Sequence, residues 1–193
     1  MDNIKKNGNE YSIPYNEYIV SFLSQYNIIK SIDKNNINIG SVSIVGLEEY
    51  KSDNQLINKF IYDIGCQILL LKDMNIGIKY FSLSDIVVIN SDIFLFNNHD
   101  KLYKLLEKIN RDVPSYTYGE FEIDVSKSKT DFIPIELKNK SKYVYYTGSF
   151  YSFAKLLLYF FDIDVEDIHY TSLYFFCKRC LEENPEDRVF LFV

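Results

Sequence analysis

Short apolar runs rather than long ones set the pattern of this chain. Ile86–Ile89 and Ile93–Phe96 are four residues each and flank Asn90-Ser91-Asp92, which predicts a tight hairpin. Upstream, residues 55–75 (QLINKFIYDIGCQILLLKDMN) carry apolar groups at 56, 57, 60, 61, 64, 68 and 71. That spacing predicts a long helix with a broad buried face. A narrower helical stripe runs through residues 15–30 at Tyr15, Ile19, Phe22, Leu23 and Tyr26. Residues 36–50 (NINIGSVSIVGLEEY) alternate and carry β-branched side chains, which predicts one or two strands. Residues 1–14 are polar and are expected to be loose or extended. The pattern of residues 100–109 (DKLYKLLEKI) is helical, a strand is expected at 120–125, and further helices at 149–161 and 166–182. A sheet fragment followed by mostly helices, with no repeat and no linker, is an α+β arrangement.

Composition narrows the classes. The chain has 193 residues, 47% of them hydrophobic, enough for one domain with a real core. A net charge of −6 argues against a general nucleic-acid binder, because neutralising phosphates takes clustered Lys and Arg. Lys138, Lys140 and Lys142 read as a solvated loop. No apolar run reaches the roughly 18–20 residues that span a bilayer, and the N-terminal residues contain no apolar signal region. The expectation is a soluble, intracellular, cytoplasmic protein with neither nucleic acid nor membrane as partner. The abundance of Ile, Asn, Lys and Tyr, with no Trp, points to the codons of an AT-rich genome.

Candidate reactive groups are few. Cys177-x-x-Cys180 could take His169 as a third metal ligand, but nothing nearby supplies a fourth, and the i, i+3 spacing suits a core face. His99 would need a carboxylate such as Asp85 or Asp100 to orient it, and reads as a surface-loop residue. Asp162, Asp164, Glu166 and Asp167 lack the calcium-loop pattern and are expected to favour the N-terminus of the helix at 166–182. Among the aromatics of residues 143–153 (YVYYTGSFYSF), most are expected in the core, with Tyr143, Tyr145 and Tyr146 at its margin.

Several stretches, in order, resemble the eukaryotic protein kinase family. Residues 22–32 (FLSQYNIIKSI) resemble the end of the family's helix C running into its fourth strand. Residues 42–50 (VSIVGLEEY) are similar to the strand that enters the hinge, residues 55–75 to helix E, and residues 78–89 (IKYFSLSDIVVI) to the catalytic loop and the strand after it. Residues 132–137 (FIPIEL) resemble the Ala-Pro-Glu segment. Residues 148–161 (GSFYSFAKLLLYFF) resemble helix F, and residues 177–188 (CKRCLEENPEDR) the ending Cys-Leu-x-x-Asp-Pro-x-x-Arg. The likeness runs from about Tyr15 to the C-terminus. It implies a mostly helical kinase-like C-lobe (51–193) with a short hairpin, after a truncated N-lobe remnant (1–50). It also implies an ion pair between Glu136 and Arg188 that pins the activation segment.

The chemistry of phosphoryl transfer asks for more than this chain offers. Only about fifteen residues precede the helix-C-like segment, with the single glycine Gly8, too few for a glycine-rich loop and its strands. Glu17 then has no strand lysine to hold. The resemblance puts Tyr80 where the proton-accepting aspartate belongs, and a phenol of pKa about 10 does not take a proton at neutral pH. It puts Asp85 at the metal-binding asparagine, Asn97 at the metal-binding aspartate, and Ser149 at the aspartate that braces the loop. A neutral amide is a weaker magnesium ligand than a carboxylate. The implied reading is a pseudokinase: no catalytic residues, no cofactor, and action through a protein partner, either an active kinase or that kinase's substrate. The alternative is a divergent phosphotransferase using ATP and magnesium, with a partner completing its nucleotide site. A truncated lobe would also leave apolar surface near the hinge for a homodimer or a partner to cover.

Overall fold

The computed structural model describes residues 4–40, 42–105, 116–118, 132–139 and 143–192. The chain divides into two compact units that interleave in sequence. The first comprises Met1–Lys51, Asn58–Met74 and Ser84–Asn97; the second comprises Ser52–Ile57, Asn75–Leu83 and Asn98–Val193.

The first unit begins with a hairpin. Strand β1 (Lys5–Asn7) pairs antiparallel with β2 (Glu10–Pro14), Asn7 opposite Glu10, so Gly8 and Asn9 alone make the turn. Gly8 takes φ +63°, a conformation glycine adopts without steric cost. Helix α1 (Glu17–Leu23) follows, its N-terminus capped by Asn16, whose side chain accepts from the Tyr18 N–H. Asn27, at φ 54°, turns the chain into β3 (Ile29–Ile32), which pairs with β4 (Asn36–Gly40). The sheet order is β1-β2-β4-β3, all antiparallel. Ile13, Ile37 and Ile39 of this sheet are fully buried, as are Tyr18, Ile19, Phe22 and Leu23 of α1.

A second sheet of this unit has the order β5-β7-β8, formed by β5 (Ile44–Gly46), β7 (Ile86–Ile89) and β8 (Ile93–Phe96). Every residue of β7 and β8 is buried. The hairpin turn places Asn90 and Ser91 at φ 52° and 68°, with the Asp92 N–H donating to the Ile89 carbonyl. Asn90 also ties the turn to Ser43, accepting from its N–H through Oδ1 and donating its own N–H to its carbonyl. Helix α2 (Ile57–Asp73) buries Phe60, Ile61, Ile64, Ile68 and Leu71, and with them Asp63 and Gln67.

In the second unit, β6 (Ile76–Ile78) pairs antiparallel with β9 (Leu102–Lys104). Gly77 faces Tyr103, whose ring would lie 2.5 Å from any Cβ there. Strands β10 (Tyr116–Tyr118) and β11 (Tyr143–Tyr145) form another antiparallel pair, and α3 (Ile135–Lys138) is a single turn. Helix α4 (Gly148–Phe160) is buried almost all round, as an apolar run of this density requires. Phe153 of α4 packs against Phe81, Phe176 and Phe190. Helix α5 (Ser172–Cys180) carries Phe176, against which Phe190 and Phe192 of the final segment also pack.

Several expectations need correction. A mostly helical kinase-like C-lobe with one short hairpin and a minimal N-terminal remnant does not describe this chain. Among the described residues, eleven strands form four antiparallel sheets beside five α-helices. Residues 5–14 take the extended of the two expected forms: a two-residue turn lets ten residues supply two paired strands. Residues 102–104 are a strand, not a helix, in which buried Tyr103 and Leu105 alternate with half-buried Leu102 and exposed Lys104. The rest of that helical expectation, and the strand at 120–125, lie outside the described residues. The helix expected at 166–182 begins only at Ser172, because Tyr170 sits at φ 65° and Thr171 supplies the cap. The acidic cluster therefore lies in the preceding turns rather than in that helix. Tyr146 is core, not margin. Among the described residues, no helix is long and apolar enough to cross a membrane.

Candidate functional site

The residues singled out from the sequence fall in both units. In the first, Asp85 ends a 3₁₀ turn and is 1% exposed, while the half-buried Asn97 follows β8. The structure brings these two together through the main chain: the Asn97 N–H donates to the Asp85 carbonyl at 2.7 Å. Glu17 is exposed in the first turn of α1, where its charge suits the helix N-terminus.

In the second unit, Tyr80 follows β6. The Lys101 ammonium lies 3.9 Å from its ring centroid and donates to Ser82 Oγ. The phenol is thus engaged by a cation through its ring face. Ser149 is buried in the first turn of α4 and spends its hydroxyl on the Tyr146 carbonyl. His99 opens a 3₁₀ turn, and burial pushes its imidazole below the ordinary value, with Asp100 opposing. Cys177 and Cys180 are fully buried; burial pushes the Cys177 thiol up to about 12 and raises Cys180 as well. A buried thiol held in its protonated form is a poor metal ligand and a poor nucleophile. Among the described residues, no group of three or more His, Cys, Asp or Glu is placed to hold a metal ion.

Glu136 and Arg188, 52 residues apart, meet in this unit. Arg188 Nη1 and Nη2 donate to the two carboxylate oxygens at 2.7 and 3.0 Å. Its Nε donates to the Glu182 carbonyl and Nη2 also to that of Glu183, and the guanidinium lies over the Tyr151 ring. The Arg188 side chain is 0% exposed. Gly148 keeps the approach open, since a Cβ there would come within 3.1 Å of Glu136 Oε1. This is a two-pronged, charge-assisted bond with nearly every guanidinium donor satisfied.

The sequence did not reveal a polar cluster in the first unit, along the open edge of β8. The outward main-chain groups of Phe94 and Phe96 are all taken by side chains. Asp63 Oδ2 accepts from the Phe94 N–H, Gln67 Nε2 donates to the Phe94 carbonyl, Gln67 Oε1 accepts from the Phe96 N–H, and the Tyr18 hydroxyl donates to the Phe96 carbonyl. The other oxygen of Asp63 receives the Tyr26 hydroxyl at 2.6 Å and the Lys59 ammonium, which also contacts Tyr26. Burial raises the Asp63 carboxyl above its ordinary value, against the pull of Lys59, Tyr26 and the Phe94 N–H. The available signal was two polar residues, i and i+4, on the apolar face of α2.

No protein-family model matches this chain, and no curated protein matches it.

Proposed function

We propose that this chain is a kinase-like protein that has given up phosphoryl transfer and works by binding another protein. The observation that carries the reading is Tyr80, a phenol under a lysine ammonium where the likeness calls for a proton-accepting carboxylate. Three further features support the kinase likeness. A short strand pair brackets the hairpin in sequence (β6 with β9 around β7 and β8), the Phe81 N–H is held by Ser152 of α4, and Glu136 is clasped by Arg188. The residues at the nucleotide positions fit a magnesium nucleotide poorly. Asp85 is enclosed, Asn97 offers a neutral amide, and a hard divalent cation prefers accessible carboxylate oxygens.

Thermal unfolding of the purified chain with millimolar ATP, with and without magnesium or manganese, tests the reading. Binding at a hundred times Kd would add about 2.7 kcal/mol, a rise of roughly 5–11 °C for a domain of this length. The expected result is no shift. A metal-dependent rise would overturn the loss of the nucleotide site and favour the divergent phosphotransferase.

A further inference from the structure

Helix α2 has an outward face that is unusual for a helix at the surface. From Phe60 to Leu71 its single charged residue is Asp63, and that one is buried. The outward positions are instead Tyr62 and Leu69, each 57% exposed, with the half-buried Cys66 and Leu70 between and beside them. At roughly 100° per residue, Tyr62, Cys66 and Leu69 fall within about 60° of one another. They form one continuous stripe, with Cys66 one helical turn on from Tyr62 and Leu69 a turn beyond that. A stripe without charge, on a chain whose net charge is −6, marks a surface that is covered.

We infer that the α2 stripe is the contact between two copies of this chain, packed antiparallel across a two-fold axis at Cys66. The stripe is close to self-complementary about that residue. An axis there sets Tyr62 against the partner's Leu69 and Leu70, and Cys66 against the partner's Cys66. It also sets Lys59 opposite the partner's Asp73, since both lie seven residues from the axis. Lys59 retains 30% exposure beside its own Asp63, and Asp73 is exposed, so opposite charges meet at both ends of an uncharged seam. An isologous contact needs this kind of self-complementarity. A partner of other sequence would have to offer the same uncharged stripe between matching charges. A single helix pair buries less than the ~1,200 Å² of a standard interface, so the dimer is weak, in the micromolar range or above.

Sedimentation equilibrium across a wide concentration range is the first measurement. The expected mass rises from monomer to dimer with concentration. Leu69→Glu and Tyr62→Glu, each placing a charge in the seam, weaken association by about tenfold or more and leave thermal unfolding of the dilute monomer unchanged. Diamide, which takes two electrons and two protons from a pair of thiols, then gives a disulfide-linked dimer on a non-reducing gel. Cys66→Ser abolishes that link but still sediments as a dimer. A chain that stays monomeric at every concentration, or a dimer that both charged variants leave intact, overturns the inference.

Discussion

Each unit buries a carboxylate against a cation, and the two do so in opposite ways. In the second unit, Glu136 meets a guanidinium whose donors are shared between its two oxygens and two main-chain carbonyls. The cation is the enclosed member. In the first unit the carboxylate is the enclosed member. Asp63 divides its oxygens between a strand N–H, a phenol and an ammonium that still reaches solvent. The first arrangement is a clasp between distant stretches of chain. The second finishes a sheet edge and leaves a titratable group inside. Burial of a charge is therefore not one device here but two, separated by which partner gave up its water.

The clasp should be the costlier to break. Arg188→Ala strands Glu136, whose side chain is 9% exposed, and should lower stability by about 3–5 kcal/mol. Urea unfolding measures it, and a loss under about 1 kcal/mol would reduce the pair to a surface contact. The edge comes next. Gln67→Leu keeps a similar volume but leaves the Phe94 carbonyl and the Phe96 N–H without their side-chain partner, at about 2–4 kcal/mol together. An unchanged urea midpoint would mean that water replaces the amide.

The smallest effect sharpens the contrast through pH. The Asp63 carboxyl is raised above its ordinary value of 3.8, so the folded state holds the proton more tightly than the unfolded one. Its contribution is fully present below 3.8 and is lost as pH rises through the raised folded value. Asp63→Asn should therefore flatten stability against pH in that window. Urea midpoints taken across the window decide it; a slope that survives in Asp63→Asn belongs to some other group.

The sequence was most readable where one physical demand dominated. The β7–β8 hairpin announced itself through two β-branched or aromatic runs around a turn of small polar residues. Helix α2 did so through five buried apolar positions at helical spacing. Where two demands competed, the pattern misled. Lys and Leu have good helix propensity, and this masked the period-two burial of Tyr103 and Leu105. The acidic residues before α5 suited a helix start, but a left-handed Tyr170 put the start after them. Asp63 and Gln67 were invisible as a working pair because their partners are main-chain atoms of β8, and backbone groups carry no sequence signature. For Tyr80, Asp85 and Asn97, residue identity was legible, while the burial of Asp85 and the lysine over Tyr80 were not.

The closed edge of β8 has a consequence for how the protein is made. The stretch from Ile86 to Phe96 is rich in strand-forming side chains and low in charge, the composition that joins chain to chain when left uncovered. Its cover, α2, stands earlier in the sequence. During synthesis the helix leaves the ribosome first, so the adhesive strand emerges with Asp63 and Gln67 already waiting for it.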